Sequence, residues 1–211
     1  MVGTRNRARL PLMKYYWCPH TRAFRIAWLL QELGCPHERV TIDIRDEAAR
    51  ADPSFRAVSP MGKVPALEDG PIKLWDSGAI SVYLADAYPD AGLGVPLHDP
   101  KRGAFLQWVM YTNAVIEPAM VEKFAGAPEN SPRHGYGSFN LMISTLNDGL
   151  APGPWILGDR FTAADVLLGS SVRFLKMFGA MPEGLPMLEA YLKRCRARPA
   201  YERAQAIEDA G

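Results

Sequence analysis

Cysteine is scarce in this chain: Cys18, Cys35 and Cys195 are the only three among 211 residues. That is too few for a disulfide framework, and a chain of this length buries roughly 70% of its unfolded surface and holds a core without one. The scarcity points to a reducing compartment and a cytoplasmic location. Long apolar runs are also lacking. No stretch approaches the ~20 residues that cross a bilayer, so no membrane partner is expected. Neither sign of charge dominates, with Lys+Arg 24 against Asp+Glu 23 and a net charge of +1. This excludes a strongly basic nucleic-acid binder and an acidic solvating tail. Internal repeats and low-complexity tracts are absent too.

What is present divides into segments of different pattern. Residues 1–12 carry Arg5, Arg7 and Arg9 with no apolar run behind them, so they are no secretory signal. They read as a basic, disordered extension, the alternative being a short arm for an anionic partner. Residues 13–17 are β-prone, and Pro19 stands where a helix can begin. Ile26, Leu29, Leu30 and Leu33 then mark one helical face over 21–33, stopped by Gly34. Residues 37–42 read as a second strand and 43–60 as one irregular helix with loops. Residues 64–68 and 72–75 read as a hairpin about Asp69-Gly70-Pro71. Ile80, Tyr83, Leu84 and Ala87 mark a helix over 77–88.

The order β-α-β-α-β-β-α is followed by a Pro- and Gly-rich stretch, 89–100, read as a linker. Beyond it every periodic segment is helical. A long helix over 101–124 should kink or break at Pro118. A loop over 126–137 precedes a helix over 139–150. Phe161-Thr162-Ala-Ala-Asp165-Val166 has the form of a capping box with a hydrophobic staple. Two further helices occupy about 186–196 and 199–210. The expected architecture is an α/β domain of thioredoxin-like order, 13–88, joined through 89–100 to an all-helical domain, 101–211.

Three segments carry chemistry. In Tyr16-Trp17-Cys18-Pro19-His20-Thr21-Arg22 a cysteine stands at a strand-to-helix junction, where unpaired N–H groups and the helix dipole favour an anion. A thiol at its reference pKa of ~8.5 is only ~3% ionised at pH 7, and lowering it by ~2 units gives ~75% thiolate, about 2.7 kcal/mol. Tyr16, two residues earlier in the strand, is read as presenting its phenol to the same face and is a rival for that role. The triplet Cys-Pro-His recurs at 18–20 and 35–37, which suggests zinc. The intervening helix, about 14 residues at about 1.5 Å each, holds the two copies ~20 Å apart, so no metal is expected. Cys35 and Cys195 read as packing residues.

In Ser59-Pro60-Met61-Gly62-Lys63-Val64-Pro65-Ala66-Leu67, Pro65 opens a strand. A cis bond before it would present the Val64 backbone as an edge for an extended peptide. In Trp75-Asp76-Ser77, Ser77 is a candidate N-cap, and it and the helix N-terminus suit a carboxylate while Asp76 suits an ammonium group. Together the three describe a receptor for a short peptide with a free α-amino acid head, an extended backbone and a thiol.

The chain resembles the glutathione transferase superfamily over nearly its whole length after Met13. The likeness rests on Gly62-Lys63-Val64-Pro65, Asp76-Ser77, Phe161-Thr162-Ala-Ala-Asp165 and Trp28-Leu-Leu-Gln-Glu-Leu-Gly34. It implies that Lys63, Val64, Pro65, Asp76 and Ser77 bind glutathione as co-substrate, with Cys18 or Tyr16 activating its thiol. It also implies a detoxifying homodimer in the cytoplasm whose electrophile meets the helical domain, with Trp108, Met110 and Tyr111 as lining candidates. Cys18-Pro19-His20-Thr21 also resembles the glutaredoxin-type motif without its second cysteine, so a thiol transferase working through a mixed disulfide at Cys18 is the alternative. A non-catalytic interaction module on the same fold is a third reading.

Overall fold

The computed structural model describes residues 12–126 and 133–211. The basic extension lies outside the described residues except for Leu12, as does the middle of the 126–137 loop. Strand β1 (Met13–Trp17) leads into helix α1 (Phe24–Leu33) and then strand β2 (His37–Thr41), which lies parallel to β1 with Met13 opposite His37. Two short helices, α2 (Glu47–Ala51) and α3 (Pro53–Arg56), follow where one irregular helix was expected. Asp52 separates them: its carboxylate accepts the Ser54 and Phe55 N–H groups and Pro53 opens the second helix.

Strands β3 (Ala66–Asp69) and β4 (Ile72–Trp75) form the hairpin, and β3 runs antiparallel to β1 with Ala66 opposite Tyr16. The sheet order is β2-β1-β3-β4. Helix α4 (Ser77–Ala87) completes the α/β part. All named strands precede residue 76, and the described residues beyond α4 form helices and the turns between them. These are α5 (Arg102–Tyr111), α6 (Glu117–Ala125), α7 (Phe139–Gly149), α8 (Ala163–Met177), α9 (Pro186–Arg196) and α10 (Pro199–Asp209). Among the described residues no helix is long and apolar enough to cross a membrane.

Helix α1 departs from the single apolar face read in its sequence. Every residue from Phe24 to Leu30 is buried, including Arg25, while Leu33 is only half-buried. A helix apolar all round belongs between two layers. One side of α1 meets the α/β core, and the other meets α8 and α10, where Trp28 packs edge-on against Tyr201 at 5.0 Å and Phe24 against Tyr201 at 5.3 Å. Gly169 of α8 is required here, because a Cβ would lie 2.7 Å from the Cys195 sulfur and 3.2 Å from the Trp28 ring. Cys195 is fully buried and its thiol is pushed up by that burial, as suits a packing residue.

The stretch 89–100, which joins the two parts, is packed in place. It opens with a short 3-10 turn, Pro89–Ala91, and buries Leu93 and Val95. Ala163 N–H donates to the Leu93 carbonyl at 2.9 Å and Arg102 Nη1 to the Val95 carbonyl at 2.8 Å. A Pro/Gly-rich composition signals irregular backbone, and here that backbone is clamped between the two parts.

The break expected at Pro118 takes a specific form. Thr112–Ile116 is a π turn between α5 and α6, with Glu117 N–H donating back five residues to the Thr112 carbonyl. Pro118 has no N–H and crowds the preceding turn, and the wider turn relieves both problems.

The capping residue Asp165 is wholly buried. It accepts the Thr162 and Ile156 N–H groups at 2.9 Å each and the Tyr191 hydroxyl at 3.0 Å. Burial pushes its carboxyl up to about 6 against these opposing hydrogen bonds. A folded-state value above the unfolded one means that the folded protein holds this proton more tightly. The stabilisation is therefore full below about pH 4 and is lost as pH rises through about 6. Urea unfolding of wild type and Asp165→Asn at pH 5 and pH 8 should show the wild type's relative stability larger at pH 5 by about 1 kcal/mol. A difference independent of pH would refute this.

Candidate functional site

Between the α/β part and the helical part lies a cleft of about 320 Å³, within the ordinary range for small-ligand sites. Its walls include Lys63, Val64 and Pro65 from the loop before β3, and Asp76 and Ser77 from the start of α4. All five residues read from the sequence as binding residues thus meet in one place. Arg22, Arg25, Ser59, Met61, Trp75, Asn113 and Glu117 complete the lining and were not read from the sequence as binding residues.

The loop before β3 is held by its own side chains. Ser59 Oγ donates to the Lys63 carbonyl at 2.7 Å and accepts the Lys63 N–H at 3.1 Å. Gly62 has φ +61, and a Cβ there would lie 2.9 Å from the Arg50 carbonyl oxygen, so glycine is the residue that fits. The Val64–Pro65 bond is cis. Strand β3 begins only at Ala66, one residue beyond Pro65. Among the described residues the Val64 N–H and C=O take no hydrogen-bond partner, which leaves a short backbone edge open to the cleft.

At the opposite wall the N-cap of α4 is Asp76, not Ser77 as the sequence suggested. The Asp76 carboxylate accepts the Gly78 N–H at 2.9 Å and the Ala79 N–H at 3.3 Å. It also takes both Asn113 Nδ2 contacts, at 2.6 and 2.8 Å. This ties the corner to the π turn and holds Asp76 at a φ of 98. Displaced from capping, Ser77 is buried at the cleft floor and accepts a hydrogen bond from Arg25 Nη1 at 3.2 Å, leaving its hydroxyl proton for an anion.

The floor itself is ionic. Arg25, 1% exposed, also donates through Nη2 to Ser171 at 2.8 Å and to Glu117. Glu117 additionally accepts Arg22 Nε on both oxygens, at 2.9 and 3.0 Å. Burial alone would raise the Glu117 carboxyl, but Arg25 and Arg22 outweigh it and hold it below the usual carboxylate range. Burial likewise lowers the Arg25 guanidinium. The charged lining comprises Arg22, Arg25 and Lys63 against Asp76 and Glu117, an excess of one positive charge suited to an anionic ligand.

The two thiol-activating candidates lie elsewhere. Tyr16 packs with Phe55, Val58 and Ala66, and its hydroxyl donates to Glu68 at 3.1 Å. Burial and the Glu68 carboxylate push that hydroxyl up to about 12, the direction opposite to activation. Cys18 is 2% exposed and, like Tyr16, is not among the lining residues. It lies one residue beyond the end of β1, so the alternation that was extended from Tyr16 to Cys18 does not govern it. Its loop is fixed by Thr21 Oγ1 donating to the Cys18 carbonyl at 2.7 Å and by His20 N–H donating to Glu208 at 3.1 Å.

Of the electrophile candidates, Tyr111 is buried with its hydroxyl on the Met142 carbonyl, Trp108 packs on Tyr111, and Met110 is exposed. None of the three lines the cleft. Cys35 and His37 make a local contact, His37 Nδ1 lying 2.9 Å from the Cys35 carbonyl. Among the described residues no cluster of metal-ligating side chains is present.

Because Arg25 depends on Glu117 for its charge balance, Glu117→Gln should destabilise the fold by on the order of 3 kcal/mol, read as a lowered urea midpoint. An unchanged midpoint would show that Ser77 and Ser171 suffice.

Comparison with known proteins agrees with this arrangement. The family model for the glutathione S-transferase N-terminal domain matches residues 10–86, and that for the C-terminal domain matches 133–194. Glutathione S-transferase GstA of Escherichia coli O157:H7 is 28% identical over 199 residues, covering 93% of this chain and 98% of its own. The disulfide-bond oxidoreductase YfcG of Escherichia coli K12 is 25% identical over 205 residues, covering 90% of this chain and 92% of its own. A glutathione transferase of Methylococcus capsulatus superimposes with a TM-score of 0.82 at 29% identity, over 95% of this chain and 100% of its own. A sphingomonad glutathione S-transferase complexed with glutathione gives 0.79 at 27% identity, over 94% of this chain and 100% of its own. With matched models over both parts of the chain and a shared fold along its length, this protein belongs to the glutathione transferase superfamily.

Proposed function

We propose that the protein binds glutathione in the cleft and promotes attack of its thiolate on a small hydrophobic electrophile. The observation that carries this reading is the convergence of Lys63, Val64, Pro65, Asp76 and Ser77 on one cationic cleft. The open Val64 edge suits the extended peptide backbone. Ser77, backed by the Arg25 charge, suits the α-carboxylate of the γ-glutamyl head, and Asp76 suits its ammonium group. In the reaction the thiol proton leaves to water, the sulfur pair forms a C–S bond, and the leaving group departs with the pair of the bond it breaks. The resemblance also carries a homodimer and a cytoplasmic location, which are part of the proposal.

A second reading, thiol transfer through Cys18, draws on the relative named a disulfide-bond oxidoreductase. The burial of Cys18 weighs against it, since a mixed disulfide needs an accessible sulfur.

Calorimetric titration with glutathione should show binding at one site per chain. Ser77→Ala and Asp76→Asn should each weaken it tenfold or more, about 1.4 kcal/mol. Conjugation of glutathione to an activated aryl halide should fall in the same variants and survive in Cys18→Ser. Loss of disulfide exchange alone in Cys18→Ser would favour the second reading. Absence of any binding heat would leave an interaction module.

A further inference from the structure

Neither side chain that the sequence offered for thiol activation lines the cleft, so the group that meets the sulfur must be sought among those that do. The lining holds three cations. Arg25 is spent: one terminal nitrogen is on Ser77 and the other on Glu117 and Ser171, and its Nε is buried without a partner. Lys63 stands at the Val64–Pro65 wall, where the peptide backbone would run.

Arg22 differs from both. Its Nε is held by the two Glu117 oxygens, and its guanidinium carbon sits 4.0 Å from the centre of the Phe174 ring. The group is thus clamped at one edge and on one face. Among the described residues its two terminal nitrogens have no hydrogen-bond partner, and the side chain is 28% exposed. A guanidinium presents its donors in a rigid plane, so fixing Nε and one face also fixes where the terminal N–H groups point.

We infer that Arg22 is the catalytic residue that receives the glutathione sulfur, stabilising the thiolate by donating its terminal N–H groups. The inference rests on the glutathione-binding reading of the same cleft. A guanidinium stays protonated, so Arg22 is no base: the thiol proton passes to water, and the S⁻ charge is held by hydrogen bonds from a fixed cation. Glu117 holds Arg22 in place through Nε, and Arg25, Lys63 and Asp76 are the other charged groups around the cleft. Phe174 is itself buried beneath the Arg22 guanidinium, and Phe178, which stacks on it at 6.0 Å, is 55% exposed.

The test is a pH titration of bound glutathione, read as thiolate absorbance in the ultraviolet, on wild type, Arg22→Gln, Arg22→Lys, Cys18→Ser and Tyr16→Phe, with glutathione affinity measured on each. Wild type should lower the thiol pKa. Arg22→Gln should lose at least one unit of that lowering, a tenfold fall in the thiolate-to-thiol ratio. Measured at a pH below the bound thiol's pKa in both proteins, its glutathione affinity should change by less than about threefold, while affinity above that pKa falls with the lost thiolate stabilisation. Arg22→Lys, which keeps the charge without the fork, should fall between the two, and it supplies the reading if the glutamine variant does not fold. Cys18→Ser and Tyr16→Phe should titrate like wild type. An unshifted titration in both arginine variants would overturn the inference while leaving glutathione binding intact. Wild type that binds no glutathione would overturn the proposed function and this inference with it.

Discussion

A guanidinium sealed from water is tolerated only when its charge is paired and most of its donors are met, and Arg25 is such a group: both terminal nitrogens are bonded and only Nε lacks a partner. Its partners come from three separate elements: Ser77 at the start of α4, Glu117 at the start of α6 and Ser171 in α8. Arg25 itself belongs to α1, so a single side chain joins four helices from both parts of the molecule. Replacing such a buried pair with apolar residues is often no loss in stability, so the contribution here is registry. Each partner must occupy its place for the others to be satisfied, and the cleft floor follows from that requirement.

The cleft walls obey the same logic at smaller scale. The Ser59–Lys63 hydrogen bonds close one loop, and the Asp76–Asn113 contacts close the opposite corner. Asn113 and Glu117 stand on opposite ends of one unusual turn, whose extra width answers the proline at 118. Had that segment continued as regular helix, the two side chains would be rotated and shifted along it relative to α1 and α4. The proline thus bears on the site although it touches none of the proposed chemistry.

Much of this was legible beforehand. Strand and helix positions followed from periodicity, from Gly34 and from the capping box at Thr162. The five cleft residues Lys63, Val64, Pro65, Asp76 and Ser77 were legible because each sits at a place where backbone geometry makes local sequence informative: a proline before a strand, a capping pair before a helix. Arg22, Arg25, Asn113 and Glu117 were not legible in the same way. A charged residue in an amphipathic segment reads as a solvated one unless its partner is known, and the partners here lie far along the chain, such as Glu117 for Arg22. The packing of the stretch 89–100 was illegible for a related reason, since composition reports irregular backbone and not whether other elements cover it.

The amino-acid sequence by itself determined the order of elements, the division into an α/β part and a helical part, and the glutathione-type binding signature, because these depend on neighbours within a few residues. The tertiary structure alone decided that Arg22 and Arg25 reach the cleft and meet at Glu117, that Tyr16 turns to Glu68, and that Cys18 is shut away. Those outcomes depend on which side of a strand end or helix is covered by an element distant in the chain, and local periodicity carries no information about that cover.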